Sequence, residues 1–491
     1  MAVTESGRGN GEQKSGPQPS SDMEVDDDDS EVDIASILAN DLDTLSFHKK
    51  NEDDPYLTSD PAAKEIFDEE EMEDLVIRPT DALIIAAKSG DDASTLEVHL
   101  FDDDPDDSDS EEGAYLPHTY VHHDLVLPVL PLCTAYTNLA IDGESLNLVA
   151  VGMFTPGIDI WDVDRVNDLE PVISLGGYDK YLDSSSSKGS TGRNQKKKKP
   201  RLRLKEDSHK DAVMCLSWNN VQKEYLVSGS ADFTVKIWDI ESAHCASTLD
   251  HHKDKVQSVA FHPTKLELLL SGSFDKTVHL VDIRDSNKNR NWKVEADVER
   301  VQWGEGTTNS MVFVTTEDGY TTVFDTRKSG QDKHLARWQA HQGAATALSI
   351  SQDIPGLLVT GGVDKMVKVW DVSGVNHGKS GELVYERPSK AGALFALSLC
   401  PLPEYETNAS PFVVAYGGAQ GTLRVVDLAV ESEAVRDRFV RHCQPKSTAA
   451  ILKRSARQKQ ALRSEGSTIH ASATSEDIDG DNSDSESDHE T

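Results

Sequence analysis

Cysteine is scarce in this chain and poorly spaced for pairing. Its five thiols, Cys133, Cys215, Cys245, Cys400 and Cys443, include no CxxC pair. That disfavours both a disulfide framework and a zinc knuckle. No apolar run approaches the ~18 residues that a bilayer-spanning helix needs. The first residues, Met1-Ala2-Val3-Thr4-Glu5, show no basic region followed by an apolar stretch, so no secretory signal is expected. Short chemical motifs are missing too: there is no GxxxxGK(S/T) phosphate loop, no GxSxG elbow and no HExxH metal pair. No cofactor, no metal and no catalytic residue is therefore expected, and the chain reads as a soluble protein of a reducing compartment. Apolar residues make up only 37% of the chain and charged ones 27%, which is polar enough to imply a folded core with solvated tails.

Bases are outnumbered, 49 Lys and Arg against 86 Asp and Glu, for a net charge of -37. The imbalance is local. Residues 1–112 hold 35 acids and 7 bases, or -28 of that total. An acidic arm of this kind disfavours non-specific binding of the whole chain to phosphate backbones and suits basic partners such as ribosomal proteins or histones, or simply keeps the chain soluble. Residues 1–75 read as a disordered acidic tail, with the run Asp26–Asp29 and a second acidic cluster over 68–74. Ile34, Ile37, Leu38, Leu42 and Leu45 recur there at near-helical spacing.

From about residue 76 short β-rich runs alternate with Gly, Asp, Asn and Ser turns, and the runs repeat. His209, His252 and His341 are each followed 23 positions later by an aspartate, Asp232, Asp275 and Asp364. Position 29 is Trp238, Val281 or Trp370, and another aspartate follows. The strings between are LVSGSADFTVKIWD, LLSGSFDKTVHLVD and LVTGGVDKMVKVWD. Weaker copies end at Phe101, Trp161, Phe324 and Val426, making seven endings, with middle spacings of 43, 43 and 46. Those spacings fit four-stranded blades, because a single blade cannot bury both of its faces and must stack on neighbours. The expected fold is all-β: a seven-bladed WD40 β-propeller over residues 76–442, with a basic insertion loop at about 176–207 and a basic, then acidic and serine-rich, tail over 443–491. Ring closure is expected to be shared among a hairpin near 81–102, a strand near 117–127 and a strand near 436–441.

The best copy holds a serine, a histidine and an aspartate: Ser228, His209 and Asp232. The set recurs as Thr360, His341 and Asp364, and as Ser271, His252 and Asp275. A catalytic triad is built once and needs an exposed nucleophile with an oxyanion hole. A recurring set instead satisfies buried polar groups, so these residues, with Trp238 and Trp370, are expected to form structural hydrogen-bonded chains. The copy with Val281 lacks its indole and is expected to have a shorter chain. The adjacent pairs His122-His123 and His251-His252 are expected to point to opposite faces and to make poor joint ligands.

Two basic segments stand out. Lys196, Lys197, Lys198, Lys199, Arg201, Arg203 and Lys205 follow a Ser/Gly-rich stretch and read as a nuclear import signal or a nucleic-acid contact, against a solvated loop as the bland alternative. Residues 446–463 carry Lys453, Arg454, Arg457 and Lys459 beside Ile451, Leu452 and Leu462, a partly amphipathic, helix-prone pattern that could face RNA or solvent. Ser483, Ser485 and Ser487 lie among acids and are candidate phosphorylation sites.

Several strings resemble the periodic tryptophan protein one family. They are Asp53-Asp54-Pro55-Tyr56-Leu57, Leu75 through Asp81, Tyr120-Val121-His122-His123-Asp124 and Leu169-Glu170-Pro171. The lysine-rich insertion before the best repeat, Ser228 through Asp239, and Leu270 through Asp282 add to them. The resemblance covers roughly residues 52–430. It departs near the start, where relatives carry an Ala-Trp-Val-type motif and this chain has no tryptophan before Trp161. The resemblance implies a nuclear, largely nucleolar WD-repeat scaffold in ribosome biogenesis that assists large-subunit pre-rRNA processing and assembly. Its partners would be assembly factors and ribosomal proteins, with pre-rRNA as a further contact and no membrane. The alternative is an rDNA chromatin-associated, histone-binding regulator of rRNA transcription.

Overall fold

In the repeats ending at Trp238, Val281, Phe324 and Trp370, β-branched and aromatic residues lie on either side of a short Asp-containing turn. Such residues fit a pleated, half-buried surface, and the turn reverses the chain. The result in the computed structural model is a series of antiparallel meanders. The structure describes residues 77, 82–90, 93–102, 118–141, 144–166, 168–179, 203–304, 308–328, 333–402, 410–443, 445 and 447–459. The acidic tail, with Ile34 through Leu45, lies outside the described residues, as do Lys196–Lys199, Arg201, Ser483, Ser485 and Ser487.

Seven sheets follow one another in chain order. The first has three strands, β1 (Ala82–Ser89), β2 (Ser94–Asp102) and β3 (His118–Leu127). The second has four, β4 (Pro131–Ile141), β5 (Glu144–Met153), β6 (Gly157–Asp162) and β7 (Ile173–Gly176). The third is β8 (Val213–Trp218), β9 (Tyr225–Ser230), β10 (Val235–Asp239) and β11 (His244–Leu249). The fourth is β12 (Val256–Phe261), β13 (Leu268–Ser273), β14 (Thr277–Asp282) and β15 (Asp285–Lys293). The fifth is β16 (Val298–Trp303), β17 (Met311–Thr316), β18 (Tyr320–Asp325) and β19 (Ala336–Gln339). The sixth is β20 (Ala347–Ile350), β21 (Leu357–Gly361), β22 (Met366–Asp371) and β23 (Glu382–Pro388). The seventh has three again, β24 (Leu394–Leu399), β25 (Val413–Gly418) and β26 (Leu423–Asp427). The seven expected endings, from Phe101 to Val426, are each the second-last residue of one strand per sheet, and the fold is the expected seven-bladed β-propeller.

Neighbouring sheets are welded by apolar clusters and by hydrogen bonds handed from one blade to the next. Leu148, Ile158 and Leu175 of the second sheet pack on Val213, Leu226 and Trp238 of the third. Phe313 and Trp338 of the fifth pack on Leu358 and Trp370 of the sixth. The indole of Trp218 donates to Ala135 O at 2.9 Å, and that of Trp303 to Ala260 O at 3.2 Å. Ser258 Oγ accepts from Val301 N at 3.0 Å, and Ser349 Oγ from Leu399 N at 3.1 Å. Among the described residues each buried cluster spans one pair of consecutive sheets, and none spans the seventh and the first.

The expected strand near 436–441 is a helix instead. Asp427 caps α1 (Leu428–Glu431), its carboxylate accepting from Ala429 N and Val430 N. Ser432 then caps α2 (Glu433–Phe439), accepting from Val435 N. Two side-chain caps, followed by residues with good helix propensity, outweigh the pull toward another strand. Val435 and Phe439 enter the cluster of the last two sheets. Residues 447–459 are also helical, and Ile451 joins the same cluster. Arg454 is fully buried there, so it is part of the packed body rather than of a solvated basic face.

Candidate functional site

Three of the seven repeats carry the expected polar chain. In the third sheet the Trp238 indole N–H donates to Ser228 Oγ at 2.8 Å. Ser228 Oγ lies 2.7 Å from His209 Nε2, and His209 Nδ1 lies 3.1 Å from Asp232 Oδ2. The sixth sheet repeats this with Trp370, Thr360, His341 and Asp364 at 2.9, 2.8 and 2.9 Å. The aspartate is a clamp as well as a link. Asp232 also accepts from Lys210 N at 2.8 Å, Thr234 N at 2.9 Å and Thr234 Oγ1 at 2.6 Å. It thereby ties the loop that enters each blade to the turn between β9 and β10. Burial alone would raise its carboxyl, but His209, Thr234 and the Lys210 amide outweigh that and hold it far below the usual carboxylate range. Burial lowers His209 and His341 despite their aspartates.

In the fourth sheet Val281 replaces the indole, yet the chain is not shortened. His252 Nδ1 lies 3.0 Å from Asp275 Oδ2, and its Nε2 lies 2.8 Å from Ser271 Oγ. His251 Nε2 then reaches the same Ser271 Oγ at 2.9 Å, the place where the indole donates in the third sheet. A hydroxyl has one proton to give, and His252 takes it if its Nδ1–H faces Asp275; His251 must then be the donor. His279 packs against both rings, with centroids 4.4 and 4.7 Å away, and is held by Asn289 at 2.9 Å. Burial, with His252 and His279 nearby, pushes His251 down to about 3. The expectation that adjacent histidines point apart is therefore corrected: His251 and His252 lie between β11 and β12, where strand alternation does not apply. His122 and His123 also converge, Nδ1 to Nδ1 at 2.8 Å, because the β2–β3 ladder slips by one residue between Val98 and His99.

Among the described residues the other blades lack the chain. Trp161 stands where Trp238 does, but Val151 occupies the serine position and the Trp161 indole N–H has no hydrogen-bond partner. Ser228, Ser271 and Thr360 are wholly buried and engaged on both sides, so none presents a free nucleophile. Among the described residues no group of three or more His, Cys, Asp or Glu could hold a metal, and no helix is long and apolar enough to cross a membrane.

The basic insertion leaves the body at a defined place. Tyr178 and Leu204 form a β-bridge, Asp179 N donates to Arg203 O at 2.8 Å, and Lys205 N to Gly177 O at 3.0 Å. Ser208 Oγ accepts from Gly177 N at 2.9 Å and donates to Pro156 O at 3.2 Å, beside the turn joining β5 and β6. The root therefore lies on the propeller face that carries the histidine-bearing loops and the aspartate turns. Of the seven expected basic residues, Arg203 and Lys205 are described, and both are exposed at this root.

The WD domain, G-beta repeat family matches residues 200–239, 243–282 and 332–371, the third, fourth and sixth blades with their incoming loops. An uncharacterized WD repeat-containing protein of Schizosaccharomyces pombe is 38% identical over 417 residues, 84% of this chain and 73% of its own. The Periodic tryptophan protein 1 homolog of Drosophila melanogaster is 31% identical over 431 residues, covering 85% of this chain and 84% of its own. The chain belongs to the periodic tryptophan protein 1 family. The Saccharomyces cerevisiae protein of that name is 29% identical over 447 residues, 85% of this chain and 75% of its own. The three segments matched by the repeat family are the three whose polar chains are complete. Among the described residues the other four blades keep the strand pattern without the full polar chain.

Proposed function

We propose that this protein is a nucleolar scaffold in ribosome biogenesis that assists the processing and assembly of large-subunit pre-rRNA. The observation that carries the proposal is membership of the periodic tryptophan protein 1 family, joined to a basic insertion rooted on one face of a rigid propeller. The blades supply fixed surfaces for assembly factors and ribosomal proteins. The lysine-rich segment supplies the charge for nuclear import or for a phosphate backbone, and the acidic arm suits basic partners. Buried, doubly engaged hydroxyls suit a scaffold rather than a hydrolase.

The test neutralises Lys196, Lys197, Lys198, Lys199 and Arg201 to glutamine and keeps 203–205, which are paired to the blade. The tagged variant, with and without an added import signal, is purified from cells with its RNA and proteins. The reading expects loss of nuclear entry, or normal entry with less large-subunit precursor RNA. Recovery of nucleosomes and polymerase subunits without precursor RNA would move the role to rDNA chromatin. Unchanged localisation and unchanged precursor recovery would remove the insertion from the mechanism.

A further inference from the structure

The inner strands carry a repeated irregularity that the polar chains do not use. β4, β8, β12, β16, β20 and β24 pack on one another in succession and so line the propeller axis. In five of them the ladder to the next strand skips one residue near its start: Leu132, Met214, Gln257, Glu299 and Phe395. The neighbours of these residues are committed to the adjoining blades. Val298, before Glu299, seats on Gly272 of the fourth sheet, where a Cβ would lie 2.6 Å from Val298 Cγ1. Arg300, after it, donates from Nε to Thr346 O of the sixth sheet at 3.3 Å. Met214 is flanked in the same way. Val213 seats on Gly152 of the second sheet, and Cys215 Sγ lies 3.7 Å from Val256 O of the fourth. A bulge re-aims the residue it contains, and here the direction left is the axis. The bulges of β8 and β12 follow directly on the loops that carry His209 and His252, so the skipped residues form the mouth of the axis on that face.

The chemistry of the mouth is uneven. Leu132, Met214 and Phe395 are apolar, and Phe395 is 55% exposed. Glu299 is partly buried, yet its carboxylate has no hydrogen bond and no ion pair. Burial pushes its carboxyl up, Glu317 and Asp297 add to the rise, and Arg300 pulls against it without reversing it. Gln257 Oε1 is buried with no partner. Both oxygens lack a donor, and they share the ring with apolar side chains. We propose that this mouth takes a lysine or arginine side chain from a basic protein segment, its stem against Leu132, Met214 and Phe395 and its N–H groups on Glu299 and Gln257. An ammonium or guanidinium supplies the donors that both oxygens lack, while its methylenes cover apolar surface. An acidic side chain would meet Glu299 with like charge, and a purely apolar one would bury the carboxylate without a donor. This rests on the scaffold reading above and deepens it, naming basic segments as the class of partner for one face.

The experiment titrates the full chain, labelled at its methionine methyls, with N-acetyl-arginine methylamide and N-acetyl-lysine methylamide. The leucine and glutamate counterparts serve as controls. The NMR signal of the Met214 methyl, assigned with Met214→Leu, should move with both cations and with neither control. Glu299→Gln should weaken that response at least about tenfold, as loss of a charged hydrogen-bond partner does, with the melting temperature unchanged. Glu317→Gln, on the rim, should weaken it less. If Glu299→Gln fails to fold, Gln257→Leu carries the test and should weaken the response several-fold. A Met214 signal that ignores both cations overturns the proposal, as does one that moves equally with the controls. So does a response that Glu299→Gln or Gln257→Leu leaves unchanged, or that Glu317→Gln weakens as much as Glu299→Gln, which would assign it to diffuse charge. No RNA or cellular partner enters the titration. The mouth can therefore fail while precursor recovery stands, and precursor recovery can fail while the mouth binds.

Discussion

In the third sheet the hydroxyl of Ser228 receives its hydrogen bond from an indole; in the fourth, the hydroxyl of Ser271 receives it from His251. The two chains are otherwise superimposable in role, each ending on an aspartate that ties a loop to a turn. The third fills the core with a large apolar ring that also donates. The fourth fills it with valine and a cluster of three imidazoles. What the blade requires at that point is a buried N–H aimed at a hydroxyl, and two side chains of different chemistry meet the need. The indole contributes packing along with the bond and cannot titrate. The imidazole contributes less volume and carries a proton-binding atom into the interior.

The comparison can be broken most directly at its largest element. Trp238→Ala should cost about 3–5 kcal/mol, because it leaves both a cavity and an undonated Ser228 hydroxyl. His251→Ala should cost less, about 1–2 kcal/mol, because the donor is lost with a smaller volume. Urea unfolding of the two variants checks the order, and equal losses would mean that the bond rather than the ring dominates. Asp232→Asn should fall between them at about 1–3 kcal/mol, since the carboxylate serves His209, Lys210 N and Thr234 at once.

Acid sharpens the contrast. Asp232 and Asp275 are held below the ordinary carboxylate range, so their contribution is complete above that range and is lost as pH falls through their depressed native values. The histidines act in the same direction, at higher pH. His209, His251, His279 and His341 are all lowered from 6.5, so protonation favours the unfolded chain. Stability from them is full above about pH 6.5 and erodes as pH falls toward the native values, about 3 for His251. The fourth sheet holds more of these groups than the third and should lose exchange protection first on acidification from pH 7.5 to 5. His251→Gln keeps an N–H donor without the titration and should flatten that loss; an unchanged pH profile would place the acid sensitivity elsewhere. The smallest effect is expected at the surface. Arg438, which bonds Asp371 and Glu382, should change stability by about 0.5 kcal/mol or less when replaced by alanine.

The blades were legible because histidine, aspartate and tryptophan recur at fixed distances, and such a register has one geometric meaning. The substitution of His251 for the indole was not. Reading His251-His252 as strand neighbours assumed alternation, while the pair sits in a loop where both rings can turn to the same hydroxyl. The helix at Glu433–Phe439 was missed for a related reason: the repeat leads one to expect another strand, and the capping side chains Asp427 and Ser432 prevail locally. Arg454 shows the limit of charge as a guide, since a run rich in Lys and Arg does not reveal which side chain turns inward.

The short ladder at Tyr178 and Leu204 holds Asp179 and Arg203, the two described ends of the insertion, side by side. The backbone is already tied off at Asp179 and Arg203, so the length of the intervening chain imposes no stress on the second or third blade. That makes residues 180–202 a natural splice point. A fluorescent reporter or an affinity handle cloned into it should leave the propeller's assembly undisturbed.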